Sequence, residues 1–225
     1  MKTITFYDTE TTKYPEWGIP SGDEKQPHLV SLAAIQCSAE TEEIIQSFEL
    51  IIKPDGWETT EDALKVHGIT TEFALMVGVP EQFAVEILIE LCGDSVRVAH
   101  NKTFDQRIIR IALKRLFSKQ LQEKWAEKES HKCTMQMARP IMKLKDKNGK
   151  SGKAPNLAEA YKFFIGEDLE NAHSAMADTV ACMEIYFAMK ELEKPKNPCS
   201  VDICEFRTGA VYPPECINCE HDIPF

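Results

Sequence analysis

No apolar run in this chain of 225 residues approaches the ~20 residues that a membrane-spanning helix needs. The N-terminal segment MKTITFYDTETT passes straight into strand-like sequence and carries no secretory h-region. These two absences make a cytoplasmic protein with no membrane partner the expectation. Basic charge is also short: 26 Lys and Arg against 36 Asp and Glu leave a net charge of -10. That argues against a protein that coats nucleic acid, because phosphate binding calls for a basic footprint. It argues less against an enzyme that must release a nucleic-acid substrate every cycle, above all if part of the acid sits where cations cancel it. Internal repeats are lacking too. At this length the chain can bury one sizeable core and still have residues to spare.

Cysteine is present but unevenly placed. Cys37, Cys92, Cys133 and Cys182 fall within apolar strands or helices and read as small core residues. Cys199, Cys204, Cys216 and Cys219 crowd into the last 27 residues, where a cytosolic chain points to metal before disulfide. Only the Cys216/Cys219 pair has the usual zinc-knuckle spacing, and a tail with free thiols is the alternative.

Hydrophobic patterning predicts strands at 2–8, 29–37 and 44–52 as an antiparallel meander, then helices at 60–67 and 80–92. A strand at 95–99, helices at 102–117 and near 119–128, and a last strand at 131–138 follow. Helices at 156–164 and 174–192 close the core. The pattern is that of an α/β protein with a mixed five-stranded sheet and helices on its faces. Two connections stand out: a Pro/Gly loop at 12–28 and a lysine-rich linker at 140–155. Periodicity is lost after Pro195, so the expected organisation is a domain over 1–194 and a cysteine-containing tail over 195–225.

The chemistry lies in the acids. Asp8 and Glu10 sit two apart at the end of the first strand and so share a face, with alpha carbons roughly 6.5 Å apart. At helical spacing Asp105 lines up with Ile108, Ile109 and Ala112, and Asp178 with Ala181, Cys182, Ile185 and Met189. Both carboxylates therefore fall on buried stripes. Taken singly, Asp8 could simply end a strand and Asp105 could serve the helix dipole. Four such acids sharing one dry site must take up protons or be neutralised by cations. His173 needs Ser174 as the helix N-cap to lie off the helix, free to turn toward the site and act as a general base.

These residues resemble a known family. FYDTETT, HNKTFDQRII and HSAMADTVACMEIY look like the three motifs of the DnaQ-like 3′–5′ exonucleases, the DEDD family in its histidine-bearing DEDDh branch. ALKVHGIT and NLAEAYKFF resemble the intervening segments, and the likeness runs over about residues 1–190. The resemblance implies a ribonuclease H-like fold and a two-metal mechanism. Asp8, Glu10 and Asp178 would hold one Mg²⁺ or Mn²⁺, and Asp8 with Asp105 the second. His173 would take the proton of the attacking water, releasing nucleoside 5′-monophosphates. Thr9 and Thr11 would meet the terminal nucleotide, Asn101 would join them or tie down a turn, and Phe104 would be either core or a contact with the terminal base. The chain departs from the family pattern at Lys13, where a glycine is usual, and in its cysteine tail.

The expected substrate is the 3′ end of single-stranded DNA, with RNA ends as the alternative. Proofreading for a DNA polymerase and stand-alone repair are both open roles, and a homodimer is possible. A non-catalytic module that binds nucleic acid or a polymerase would have lost metal ligands, whereas all five positions are intact. His67 and His100 read as structural, Arg107, Arg110 and Lys114 as a solvated face, and Tyr14 and Trp17 as loop anchors more than base-stacking groups. The lysines at 143, 145, 147, 150 and 153 could follow a phosphate backbone.

Overall fold

A computed structural model describes residues 2–127 and 130–193. The compact unit runs over residues 1–189, and of 190–225 only 190–193 are described. The sequence TITFYDTET, rich in β-branched and aromatic residues, forms β1 (Thr3–Thr11). It pairs antiparallel with β2 (Leu29–Ser38), which pairs antiparallel with β3 (Ile44–Ile51). β4 (Val96–Ala99) joins β1 in parallel, and β5 (His131–Cys133) joins β4 in parallel. The order is β3-β2-β1-β4-β5, a mixed five-stranded sheet as the patterning predicts. Every residue of β2 is buried, while β3 is largely exposed at the sheet edge.

Helices cover both faces. On one, Tyr7, Leu32 and Ala34 pack against α3 (Glu81–Cys92), α4 (Lys102–Leu116) and Trp125 of α5 (Lys119–Ala126). On the other, Ile4, Phe6, Ile35 and Val98 pack against Cys182 and Tyr186 of α8 (Ala175–Glu193). Strand alternation sends even-numbered residues of β1 toward α8 and odd-numbered ones toward α4. Asp8 and Glu10 thus share the face of Ile4 and Phe6. The β1–β4 ladder ends at Phe6↔Val98, so the second half of β1, residues 7–11, has no ladder partner on that edge. It is also where parallel and antiparallel pairing meet, and ligands of open sheets bind beyond the carboxyl ends of strands at such a switch.

Several elements differ from expectation. The predicted strand at 131–138 is cut to three residues, and α6 (Thr134–Met142) follows. Thr134 and Ala138 are its buried residues, a spacing of four that belongs to a helix. Pro140 is exposed in its last turns, and Lys143 ends it in the left-handed region at φ 50°. The patterning also misses α2 (Thr71–Val77), because its apolar residues are mostly exposed and show no stripe. Its start is marked chemically, by the Thr70 side chain accepting from Phe73 N at 3.1 Å. β1 continues through Thr11 instead of stopping at Asp8. α1 (Glu61–His67) ends at the left-handed Gly68, and α7 (Leu157–Ile165) opens on an Asn156/Glu159 capping box.

Among the described glycines, Gly78 leaves the least room for a side chain. A Cβ there would lie 2.4 Å from the Ala74 carbonyl oxygen and 2.5 Å from Lys53 N. Gly78→Ala is therefore expected to cost at least about 1–3 kcal/mol. Urea unfolding should show it as a lower midpoint at unchanged slope.

Candidate active site

The carboxyl end of β1 opens into a cleft of about 590 Å³ whose walls include Asp8, Glu10, Asp105, Asp178 and His173. Each acid arrives on a different support. Asp8 and Glu10 come from β1. Asp105 sits in the first turn of α4, only 2% exposed. Its Oδ1 accepts from Thr9 N at 3.2 Å and Thr9 Oγ1 at 2.8 Å. A side chain from α4 thus takes the N–H that no strand meets. Asp178 sits in the first turn of α8 and accepts from His173 N at 3.3 and 3.4 Å.

His173 precedes the helix with φ 72°, in the left-handed region. That turn leaves its ring facing the acids, and ligand atoms of Glu10, His173 and Asp178 all lie within 4.8 Å of one another. The Ser174 carbonyl accepts the Asp178 N–H at 2.9 Å, as an N-cap carbonyl does. Its hydroxyl instead reaches Glu49 Oε1 at 3.5 Å, and the same oxygen accepts Met176 N at 3.3 Å. Glu49 on β3 thereby satisfies a free N–H at the start of α8, a contribution that sequence spacing did not reveal.

Burial and mutual repulsion hold these acids toward their protonated forms. Burial pushes Glu10 up to about 8, helped by Asp178 and Asp105. Burial raises Asp105 to about 7 against the opposing Thr9 bonds. Asp8 is raised well above the carboxylate range by burial, then by Asp105, Asp178 and Glu10. Asp178 is raised by burial, with the His173 N–H and ring pulling the other way. Among the described residues no Lys or Arg forms an ion pair with any of the four. An all-oxygen set of crowded acids with no internal cation, and one imidazole beside it, fits hard divalent metals.

The remaining expected residues divide. Thr9 is committed to Asp105, and Thr11 Oγ1 donates to Lys13 O at 2.9 Å at the cleft wall. Asn101 stands exposed at the start of α4 in the left-handed region, without a side-chain cap. Phe104 is half-buried and meets exposed Tyr14 edge-on at 5.9 Å. His100 is locked between Thr134 Oγ1 (3.0 Å) and the Pro155 carbonyl (3.2 Å), and burial lowers it to about 4. His67 also lines the cleft, its Nδ1 accepting from Ile69 N at 3.0 Å and burial lowering its pKa.

Arg107 corrects an expectation. Instead of facing solvent freely, it donates to the carbonyls of Glu16 (3.0 Å) and Ile19 (2.7 Å) and stands over Trp17 at 5.2 Å. With Arg115, which donates to the Gln26 and Pro27 carbonyls at 3.3 Å, it ties the 12–28 loop to the back of α4. Ala63 and Val66 of ALKVHGIT and Leu157 of NLAEAYKFF, the two segments between the motifs, also line the cleft. Cys199, Cys204, Cys216 and Cys219 lie outside the described residues.

Comparison with known proteins agrees with this geometry. A family model described as Exonuclease, of the RNase T type, matches residues 5–186. Ribonuclease T from Actinobacillus pleuropneumoniae serotype 5b (strain L20) is 28% identical over 174 residues, 72% of this chain and 74% of the relative. Among solved structures, Escherichia coli Exonuclease I in complex with a dA16 oligonucleotide superposes with a TM-score of 0.66 at 19% identity. That match covers 85% of this chain and 41% of the other. A zinc-bound form of the same enzyme with single-stranded DNA gives 0.66 at 22% identity, covering 87% and 42%. The chain thus spans about two fifths of the length of these structures. The likeness places its sheet and helices in the ribonuclease H-like exonuclease fold.

The raised acids have a measurable consequence. Their folded values lie above the unfolded ones near 4, so the folded chain binds more protons across that window. His67, His100 and His131, whose pKa values are lowered by burial, oppose this below about 6.5, so stability of the metal-free protein falls with pH chiefly from about 6.5 to about 8. At about 2–4 °C per kcal/mol for a domain of this size, the drop in Tm should be on the order of 10 °C. Added Mg²⁺ should raise Tm far more at pH 8 than at pH 5. A Tm that climbs steadily to pH 8 in EDTA would contradict the assigned crowding.

Proposed function

The chain belongs to the RNase T exonuclease family, the DnaQ-like DEDD 3′–5′ exonucleases, and on that footing we propose that it removes nucleoside 5′-monophosphates from the 3′ end of single-stranded nucleic acid. The observation that carries this reading is the convergence of four crowded carboxylates and one imidazole on a single cleft. In it, Asp8, Glu10 and Asp178 hold one Mg²⁺ or Mn²⁺, and Asp8 with Asp105 holds another. When bound, the two ions supply Lewis-acid activation of water and stabilise charge on the leaving oxygen. His173 accepts the water proton on a ring nitrogen, held near Glu10 and Asp178 by its left-handed turn. The Thr9 pair of hydrogen bonds keeps Asp105 oriented before substrate arrives. Thr9, Thr11, Asn101 and Phe104 frame the terminal nucleotide.

DNA is the favoured substrate, supported by fold neighbours that hold single-stranded deoxyoligonucleotides. The likeness to a protein named Ribonuclease T supports RNA 3′ ends as the second reading. In the same proposal the catalytic domain spans 1–194.

The test uses 5′-labelled single-stranded DNA and RNA of one sequence with Mg²⁺ or Mn²⁺. A ladder shortening from the 3′ end is expected, and its relative rate on the two sugars decides the substrate. Asp8→Ala should reduce the rate at least about 10²–10³-fold. His173→Ala should slow hydrolysis by roughly 10²–10⁴-fold while Mg²⁺ still raises Tm at pH 8. Mononucleotide release that persists in EDTA would falsify the metal-dependent reading.

A further inference from the structure

The lysine-rich segment that follows α6 is an ordered hairpin. Lys145 and Ser151 form an antiparallel bridge. Asp146 N donates to Lys150 O at 2.9 Å, and Gly152 N and Lys153 N both donate to Leu144 O, at 2.9 and 3.1 Å. The one acid of the segment is spent inward: Asp146 Oδ1 accepts the backbone N–H groups of Asn148 (2.9 Å) and Lys150 (2.8 Å). The lysines are turned out. Exposure alternates from 143 to 147, with Lys143, Lys145 and Lys147 exposed and Leu144 and Asp146 half-buried between them.

Lys150 is exposed at the returning side, and Lys153 pairs with Glu159 of the α7 capping box. Lys143, Lys145, Lys147 and Lys150 make no ion pair among the described residues. No other eleven residues of this acidic chain contain five Lys or Arg.

Position gives the cluster a use. Two residues past Lys153, the Pro155 carbonyl accepts from His100, and Leu157 forms part of the cleft wall. Seven residues separate Lys150 from Leu157, a reach of at most about 25 Å. Lys13 at the cleft wall is engaged with Glu16 at 2.8 Å, Lys102 at the start of α4 with the His131 carbonyl at 3.2 Å, and Arg107 with loop carbonyls. A cleft walled by carboxylates can take a terminal phosphodiester with its metals, but it offers little to the phosphates that trail behind.

We propose that the 143–153 hairpin is the track for the sugar-phosphate backbone of the strand whose 3′ end occupies the cleft. This rests on the exonuclease reading above. Binding is by charge and so is blind to base sequence. It gives an acidic enzyme a hold on polymers that it lacks on dinucleotides.

The test replaces three lysines together (Lys145→Gln, Lys147→Gln, Lys150→Gln), all exposed and none needed by side chain for the turn. Binding of a fluorescent 20-nucleotide single strand is followed by anisotropy in an Asp8→Ala background, which keeps the probe intact. Three lost phosphate contacts should lower the slope of log affinity against log salt by about 2. Between 50 and 200 mM salt, the form with its lysines should therefore lose about 20-fold more affinity than the triple variant. In the otherwise unaltered chain, the triple variant should raise KM for the 20-nucleotide strand while keeping kcat on a dinucleotide. Equal affinities and equal salt slopes would overturn the track. If lysine-dependent binding is found but no mononucleotide is ever released, the track stands and the exonuclease reading fails.

Discussion

Repulsion among four carboxylates is the constraint around which this molecule is arranged. Burial and repulsion hold Asp8 and Glu10 toward their protonated forms beside Asp105 and Asp178, and among the described residues no Lys or Arg pairs with them. The fold holds them together anyway because each is fixed by something other than the cluster. Strand pairing fixes the first two, the Thr9 hydrogen bonds fix Asp105, and the His173 turn with its backbone N–H fixes Asp178. The energy of crowding is held by the sheet and helices and becomes available to whatever cation enters.

The topology makes this possible at the carboxyl end of β1. β1 is the strand at which antiparallel pairing on one side meets parallel pairing on the other, and β4 stops short of its end. Beyond Phe6 the strand is open along one edge, and α4 and α8 bring their first turns to it from opposite faces. Acids in the first turns of helices are favoured by the macrodipole, which offsets part of their mutual repulsion. Basic residues serve other ends. Arg107 and Arg115 are used to fasten the loop behind α4, and the unpaired lysines are held out on a hairpin.

Much of this was legible in the sequence where a residue's environment follows from its own neighbours. The buried stripes of α4 and α8 announce themselves through Ile108, Ile109 and Ala112, and through Cys182 and Ile185. The positions of Asp105 and Asp178 on those stripes follow from period alone. The need for His173 to leave the helix was legible for the same reason. What was hidden depends on partners remote in sequence. Glu49 bracing α8, Arg107 holding loop carbonyls, and the shortening of β5 are set by tertiary contacts that local pattern does not encode. α2 was invisible because its apolar side chains stay exposed, so no stripe forms.

The bond between Asp105 and Thr9 has a further meaning. In most sheets a backbone N–H at an open edge is satisfied by water or by a neighbouring strand. Here it is satisfied by Asp105, so one carboxylate both seals the strand edge and is a proposed metal ligand. Architecture and activity therefore share an atom. An amide at position 105 offers the same acceptor without the charge and would leave the edge sealed, whereas a methyl would strand a buried donor. Inert forms of this protein are thus not equivalent to one another. One would preserve the empty machine, and another would loosen the frame that carries it.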